Sequence, residues 1–184
     1  MQRTIFIDRE KCIGCYTCQI ACKSEHGLAP YPTQPPVGDP EGPELIRVHR
    51  VGPKIHNNKA YLYFQPFSCM HCLDAPCIRA CPRSAIHKDG DTGITLVDES
   101  KCIGCKFCLW VCPYGAPQFF DGKLKLCNLC IHRLKEGEKQ TACEAVCQAR
   151  AIYVGTPKEI SAKVGQKAAE AAGEIKAKAK AYSI

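Results

Sequence analysis

Sixteen of the 184 residues are cysteines, and they fall into four quartets. Three are tight runs: CIGCYTCQIAC with Cys12, Cys15, Cys18 and Cys22; CMHCLDAPCIRAC with Cys69, Cys72, Cys77 and Cys81; CIGCKFCLWVC with Cys102, Cys105, Cys108 and Cys112. The fourth, CNLCIHRLKEGEKQTACEAVC, holds Cys127, Cys130, Cys143 and Cys147, with twelve residues between its second and third cysteines. Thiolates are soft ligands that suit iron–sulfur clusters and zinc. A cubane needs four of them converging from several directions; a C-x2-C-x2-C-x3-C run delivers three from one loop while its fourth cysteine reaches a neighbouring cluster. Zinc takes two CxxC pairs instead, which leaves the internal third cysteine of CIGCYTC and of CIGCKFC without a role. Sixteen cysteines in such quartets predict four cubanes.

The residues around the quartets support this chemistry rather than adding to it. His71 in CMHC and His132 just after Cys130 complete no ligand set, so they read as groups that support ligands or lie on the surface. Trp110, between Cys108 and Cys112, reads as packing that shields a cluster from water, which would tune its potential. Gly14 and Gly104 stand between the first two ligands of their loops, where a residue without Cβ lets backbone N–H groups approach cluster sulfurs. There is no HExxH, P-loop, Rossmann fingerprint or GxSxG elbow, and DGDTG lacks the spacing and terminal Glu of a calcium loop. The pattern points to electron transfer without catalysis.

The elements that position these ligands repeat. IFIDREKCIGCYTC aligns with TLVDESKCIGCKFC at an offset of 90 residues, matching Asp8 to Asp98, Lys11 to Lys101 and Gly14 to Gly104, an internal duplication. Thr4–Ile7 and Ile94–Val97 are short β-rich runs leading into each quartet, SAIHKDGDTGITLVD reads as a hairpin turning at Asp89–Gly93, and Ala151–Val154 echoes Ser84–His87. The unit is strand, ligand loop, short helix, strand. Leu45–Val51 and Ala60–Phe64 predict a two-stranded excursion, and Ile131–Lys139 a short basic helix or turn. Residues 27–44 carry six prolines and three glycines, so they predict a loop or an arm over a partner. At the C-terminus, Thr156, Pro157 and Glu159 are helix-start signals. Ile160, Val164, Ala168, Ala171, Ile175, Ala179 and Tyr182 then form a narrow stripe, suited either to a docking helix or to a solvated tail.

The net charge of +7 treats cysteine as neutral. Four oxidised cubanes at about −2 each bring the loaded protein to about −1, so the excess Lys and Arg offset cluster charge. A nucleic-acid footprint is the other reading of that charge, but no aromatic-interleaved basic stripe accompanies it. No apolar run of about 18 residues offers a membrane span, and MQRTIFIDREKC shows no leader. The expectation is a cytoplasmic chain with reduced thiols, exported only with a signal-bearing partner.

FSCMHCLDAPCIRACPRSAI, GITLVDESKCIGCKFCLWVCPYGAPQFF and the split CNLC…CEAVC resemble the four-cluster iron–sulfur electron-transfer subunits. These accompany molybdenum or tungsten pterin oxidoreductases of the dimethyl sulfoxide reductase type, formate dehydrogenases and some hydrogenases. The resemblance covers roughly residues 3–155. It implies an α+β fold of two nested bacterial ferredoxin-like domains, each with two [4Fe–4S] clusters, with short β-hairpins, a Pro-rich insertion and a C-terminal helix. Residues 1–26 plus 113–155 would form the first domain, 27–59 the insertion, 60–112 the second domain, and 156–184 a docking helix or tail. By the same resemblance one cluster is held by Cys12, Cys15, Cys18 and Cys147, the next by Cys22, Cys127, Cys130 and Cys143, a third by Cys81, Cys102, Cys105 and Cys108, and the last by Cys69, Cys72, Cys77 and Cys112. Electrons would pass in that order, the first cluster facing the catalytic subunit. Some relatives carry Trp where Cys105 stands and hold a three-iron cluster; Cys105 implies four cubanes here. The implied partners are a catalytic pterin subunit, or a hydrogenase subunit, and a second electron donor or acceptor protein. A freely diffusing polyferredoxin and an iron–sulfur regulatory or nucleic-acid-binding protein are the other functions this chemistry admits.

Metal analysis separates the cluster reading from zinc. Four cubanes give about sixteen iron atoms per chain; tightly bound zinc with little iron would overturn it.

Overall fold

The computed structural model describes residues 2–28, 43–166 and 169. The Pro-rich stretch over 29–42 and the apolar stripe from Ala168 onward lie outside them. Every sheet among the described residues has two strands. β1 (Thr4–Ile7) pairs antiparallel with β8 (Ile152–Gly155), Thr4 opposite Gly155 and Ile7 opposite Ile152. β2 (Ile46–His56) pairs with β3 (Lys59–Ser68), β4 (Ile86–Lys88) with β5 (Thr95–Val97), and β6 (Gln118–Phe120) with β7 (Lys123–Lys125). Between them lie the short helices α1 (Thr17–Glu25), α2 (Pro76–Arg79), α3 (Phe107–Trp110), α4 (Ile131–Lys135) and α5 (Ala142–Ala145); α6 spans residues 157–166.

Alternation explains β1: Ile5 points inward at 1% exposure while Phe6 is 40% exposed and meets Tyr153 across the sheet. β8 is buried along its length. Ile5, Ile152 and Val154 thus join Ile46, Val48, Ile94 and Leu129 in one apolar cluster, which also takes in Cys18, Cys22 and Cys143. A smaller cluster gathers Ala85, Ile86 and Leu124 with Cys102 and Cys108.

The β4–β5 hairpin turns at Asp89–Gly93, where the Asp89 carboxylate accepts from the backbone N–H of Thr92 and Gly93 N–H donates to Asp89 O. The excursion expected over Leu45–Val51 and Ala60–Phe64 is longer than its apolar runs suggest. Polar residues continue both strands to the turn at Asn57 and Asn58, so that His56 already faces Lys59. A division between 59 and 60 therefore runs through a hairpin. A division at 113 likewise leaves β6 and β7 on the wrong side, because Leu124 packs with Ile86 and its N–H donates to the Cys102 sulfur at 3.4 Å. The basic stretch after Cys130 is helical only over α4.

α6 begins as its start signals require: Thr156 N–H donates to Glu159 Oε2 at 2.8 Å, and Glu159 N–H to Thr156 Oγ1 at 3.3 Å. Ile160 is buried against the chain's own core, and Lys163 reaches Glu144 of α5 at 3.3 Å. The stripe's first residue therefore packs at home.

Ile5→Ala empties a closed site shared by both chain ends and should cost about 2–5 kcal/mol. Anaerobic thermal denaturation is expected to show a midpoint several degrees lower than for Phe6→Ala. The reverse order would remove β1 from the core.

Candidate metal centre

The leading CxxC pair of each quartet is shaped by the residue just before its second cysteine. Gly14 (φ +69°), His71 (+49°), Gly104 (+68°) and Leu129 (+49°) all adopt the left-handed conformation, which costs a residue with a Cβ roughly 1–2 kcal/mol. The bend turns that residue's N–H back onto the first cysteine. His71 N–H lies 3.4 Å from Cys69 Sγ, and the same relation joins Gly14 to Cys12 and Leu129 to Cys127. A Cβ at Gly14 would strike the Phe64 ring, and one at Gly104 the Gly122 carbonyl, so glycine is needed there for space as well as for conformation. His71 is pinned instead: 1% exposed, its Nδ1 accepts from Thr95 N–H at 3.0 Å, while Lys88 Nζ donates to its carbonyl at 3.2 Å. The closing cysteines of the second and fourth quartets share another device. Cys81 accepts from Ala85 N–H at 3.3 Å and Cys147 from Ala151 N–H at 3.2 Å, each after a left-handed residue, Ser84 or Arg150.

The sixteen thiols, all free of disulfides, come together in four groups. Cys18 lies within electrostatic reach of Cys12, Cys15 and Cys147. Cys22 faces Cys127, Cys143 and Cys130, although more than a hundred residues separate them. Cys81, Cys102, Cys105 and Cys108 line one apolar cavity with Ile86, Phe119 and Leu124. Cys69, Cys72, Cys77 and Cys112 line another with Ala116, Pro117 and Leu126. Neighbouring groups lie within electrostatic reach of one another: Cys18 of Cys22, Cys127 of Cys69, and Cys77 of Cys108. The group of Cys69 therefore stands between those of Cys22 and Cys102. This differs from the order that the resemblance implies, because Ser68, at the end of β3, sets Cys69 beside Cys127.

Burial, reinforced by the neighbouring thiols, pushes the Cys18 thiol up to about 12 and those of Cys108 and Cys130 up to about 11. Cys22, Cys69, Cys127 and Cys143 are raised for the same leading reason, loss of water. Cys15 goes the other way, lowered by the Thr17 hydroxyl and N–H. Such thiols ionise together only around positive charge. Four convergent sulfurs, apolar walls and N–H donors aimed at the sulfurs fit an iron–sulfur cubane.

Trp110 overturns the expectation of a shield, for it is 83% exposed. On a one-turn helix that directs Cys108 inward, the residue two positions on points outward. His132 pairs with Glu25 at 2.8 Å, and Arg133 with the other carboxylate oxygen at 3.0 Å, tying α4 to α1. Three contributors carry no signal in the spacing of the ligands. His26 Nε2 lies 3.6 Å from Cys130 Sγ, the Thr141 hydroxyl 3.3 Å from Cys143 Sγ, and Thr17 bonds Cys15.

Two family models match the sequence: a 4Fe-4S binding domain over residues 3–24 and a 4Fe-4S dicluster domain over residues 60–157. This protein belongs to the 4Fe-4S dicluster family. Its cofactors are [4Fe–4S] clusters, and sixteen cysteines at four per cubane give four of them. The dicluster protein is 38% identical over 172 residues to a chain of the anaerobic dimethyl sulfoxide reductase of Escherichia coli (strain K12), covering 92% of its own length and 81% of the relative. It is 34% identical over 173 residues to the thiosulfate reductase electron transfer subunit PhsB of Salmonella typhi, covering 90% and 83%. It is 32% identical over 180 residues to the formate dehydrogenase iron-sulfur subunit of Wolinella succinogenes, covering 85% and 82%.

His132 and Arg133 hold the Glu25 carboxyl below its ordinary value, so the folded dicluster protein favours the ionised form. The stabilisation is present above the unfolded carboxylate value and is lost as pH falls through the folded one. Glu25→Gln should cost about 1 kcal/mol near neutrality, and its deficit against wild type should shrink as pH falls below the ordinary carboxylate range of about 4. Denaturation midpoints across pH check this; a deficit constant with pH would detach Glu25 from its partners.

Proposed function

We propose that this chain is the electron-transfer subunit of an oxidoreductase complex. It relays single electrons between a catalytic subunit carrying a molybdenum or tungsten pterin and a second redox protein, and performs no catalysis itself. One observation carries the reading: the four thiol groups form a single file, and its first and last groups contain the exposed cysteines Cys15 and Cys105. When bound, [4Fe–4S] clusters accept and release one electron each. The chain supplies spacing, dry walls and N–H donors, and its two exposed cysteines lie at the ends of the file. The names of the relatives, a reductase chain, an electron transfer subunit and an iron-sulfur subunit, describe parts of larger enzymes and support a catalytic partner. Among the described residues no helix is long and apolar enough to cross a membrane.

Within this reading Cys12, Cys15, Cys18 and Cys147 hold the cluster nearest the catalytic subunit, and Cys22, Cys127, Cys130 and Cys143 the second. Cys69, Cys72, Cys77 and Cys112 follow, and Cys81, Cys102, Cys105 and Cys108 form the outer end. The second domain is nested inside the first, which the pairing of β1 with β8 supports. Wider limits that keep the β2–β3 hairpin whole and take in the β6–β7 hairpin are supported by the strand pairing and by the packing of Leu124 with Ile86. The residues after 166 are a candidate docking segment.

Low-temperature EPR of single variants tests the crossing. Cys22→Ser and Cys130→Ser should alter the same signal and Cys18→Ser another; Cys22 and Cys18 acting on one signal would overturn the ligand sets. On native gel filtration the chain should elute at high mass with a pterin-containing subunit. Elution at the mass of the free chain would favour a diffusing polyferredoxin.

A further inference from the structure

The second thiol group differs from the others in what faces its sulfurs. Cys69, Cys81, Cys102 and Cys147 accept from backbone N–H groups, donors fixed by the path of the chain. Cys130 has in addition a side chain from a distant segment against it, with His26 Nε2 at 3.6 Å. A cluster-bound thiolate carries no proton and can only accept, so the facing nitrogen is the donor.

The ring is held on both sides. Just beyond α1, His26 N–H donates to the carbonyl of Cys22 at 3.1 Å, a cysteine of the same group. The imidazole then stands edge-to-face on His132, centroids 5.4 Å apart and planes at 84°, and Glu25 fixes His132 at 2.8 Å. The Thr141 hydroxyl adds a contact to Cys143 at 3.3 Å while accepting from Glu144 N–H.

Resting on the relay reading, we propose that His26 sets the potential of the cluster held by Cys22, Cys127, Cys130 and Cys143: its Nε2–H donates to the Cys130 sulfur and makes that cluster easier to reduce than it would otherwise be. Reduction adds one negative charge to the cluster and its thiolates, and a donor dipole aimed at a sulfur stabilises that state more than the oxidised one. The electron comes from one neighbouring group and leaves to the other. His26 keeps its proton throughout and responds only as a dipole. Lying inside the file, next to the end group that carries the exposed Cys15, this station holds an electron while a partner exchanges. Glu25 and His132 act through His26 as positioning residues.

Anaerobic redox titration of the holoprotein, followed by low-temperature EPR, tests this, with Cys130→Ser marking the signal concerned. His26→Ala should make that one cluster roughly tenfold harder to reduce, a fall of about 59 mV for one electron, while iron stays at about sixteen per chain. His26→Gln, which keeps an N–H, should restore much of the shift, and His132→Ala should give a smaller shift of the same signal. Four unchanged potentials in His26→Ala with iron retained overturn the inference, as does a shift confined to a different signal. Should His26→Ala lose iron, His132→Ala decides: a lowered potential at the marked cluster supports the role, and an unchanged one ends it. Failure of the relay reading shows separately, as elution of the native chain at its free mass with no pterin-containing subunit.

Discussion

A buried thiol resists ionisation, and four buried together resist it more; the whole molecule is organised around that conflict. Cys18, Cys108 and Cys130 are pushed far above the ordinary thiol range by loss of water and by the thiols beside each of them. Only positive charge in their midst reverses this. The conventional core is correspondingly thin. Two-stranded sheets are marginal in water, and cysteines occupy places in both apolar clusters that aliphatic side chains would fill elsewhere. Iron binding and folding free energy are therefore strongly linked in this protein.

The backbone meets the clusters halfway. Left-handed residues before the second cysteine of each pair turn N–H groups onto sulfur, and the device recurs whether the residue is glycine, leucine or histidine. Where glycine is used, a neighbour fills the space a Cβ would need; where histidine is used, its ring is buried and bonded to β5. Lys and Arg, in excess across the sequence, offset the negative charge that loading brings. Local strain, donor placement and net charge serve the same four sites.

The cysteine spacing made the chemistry legible, since C-x2-C-x2-C-x3-C has few other uses, and the 90-residue repeat located β1, β5 and the two ligand-loop glycines. The helix-start signals at Thr156 and Glu159 appear as hydrogen bonds. Contacts between distant segments were not legible. Nothing in SEHGL or CNLC says that His26 meets Cys130 across 104 positions, and no local pattern sets Cys69 beside Cys127. Trp110 misled because an aromatic residue between ligands suggests burial, whereas a single helical turn has only one inner side, which Cys108 takes. The β2–β3 hairpin outran its hydrophobic signal because its outer half is exposed and polar sequence continues the pairing.

The pairing of Thr4 with Gly155 also sets a schedule. During synthesis the first strand and the first cysteine quartet leave the ribosome long before the strand that completes their sheet. At 5–20 residues per second the wait is roughly 7–30 s. The β4–β5 hairpin and the cysteines around it can assemble meanwhile, but Cys12, Cys15, Cys18 and Cys22 must remain reduced and unaggregated until the fourth quartet and β8 have been made. Maturation of this protein is therefore ordered in time from the middle outward, and its earliest-made thiols depend longest on the reducing capacity of the cell.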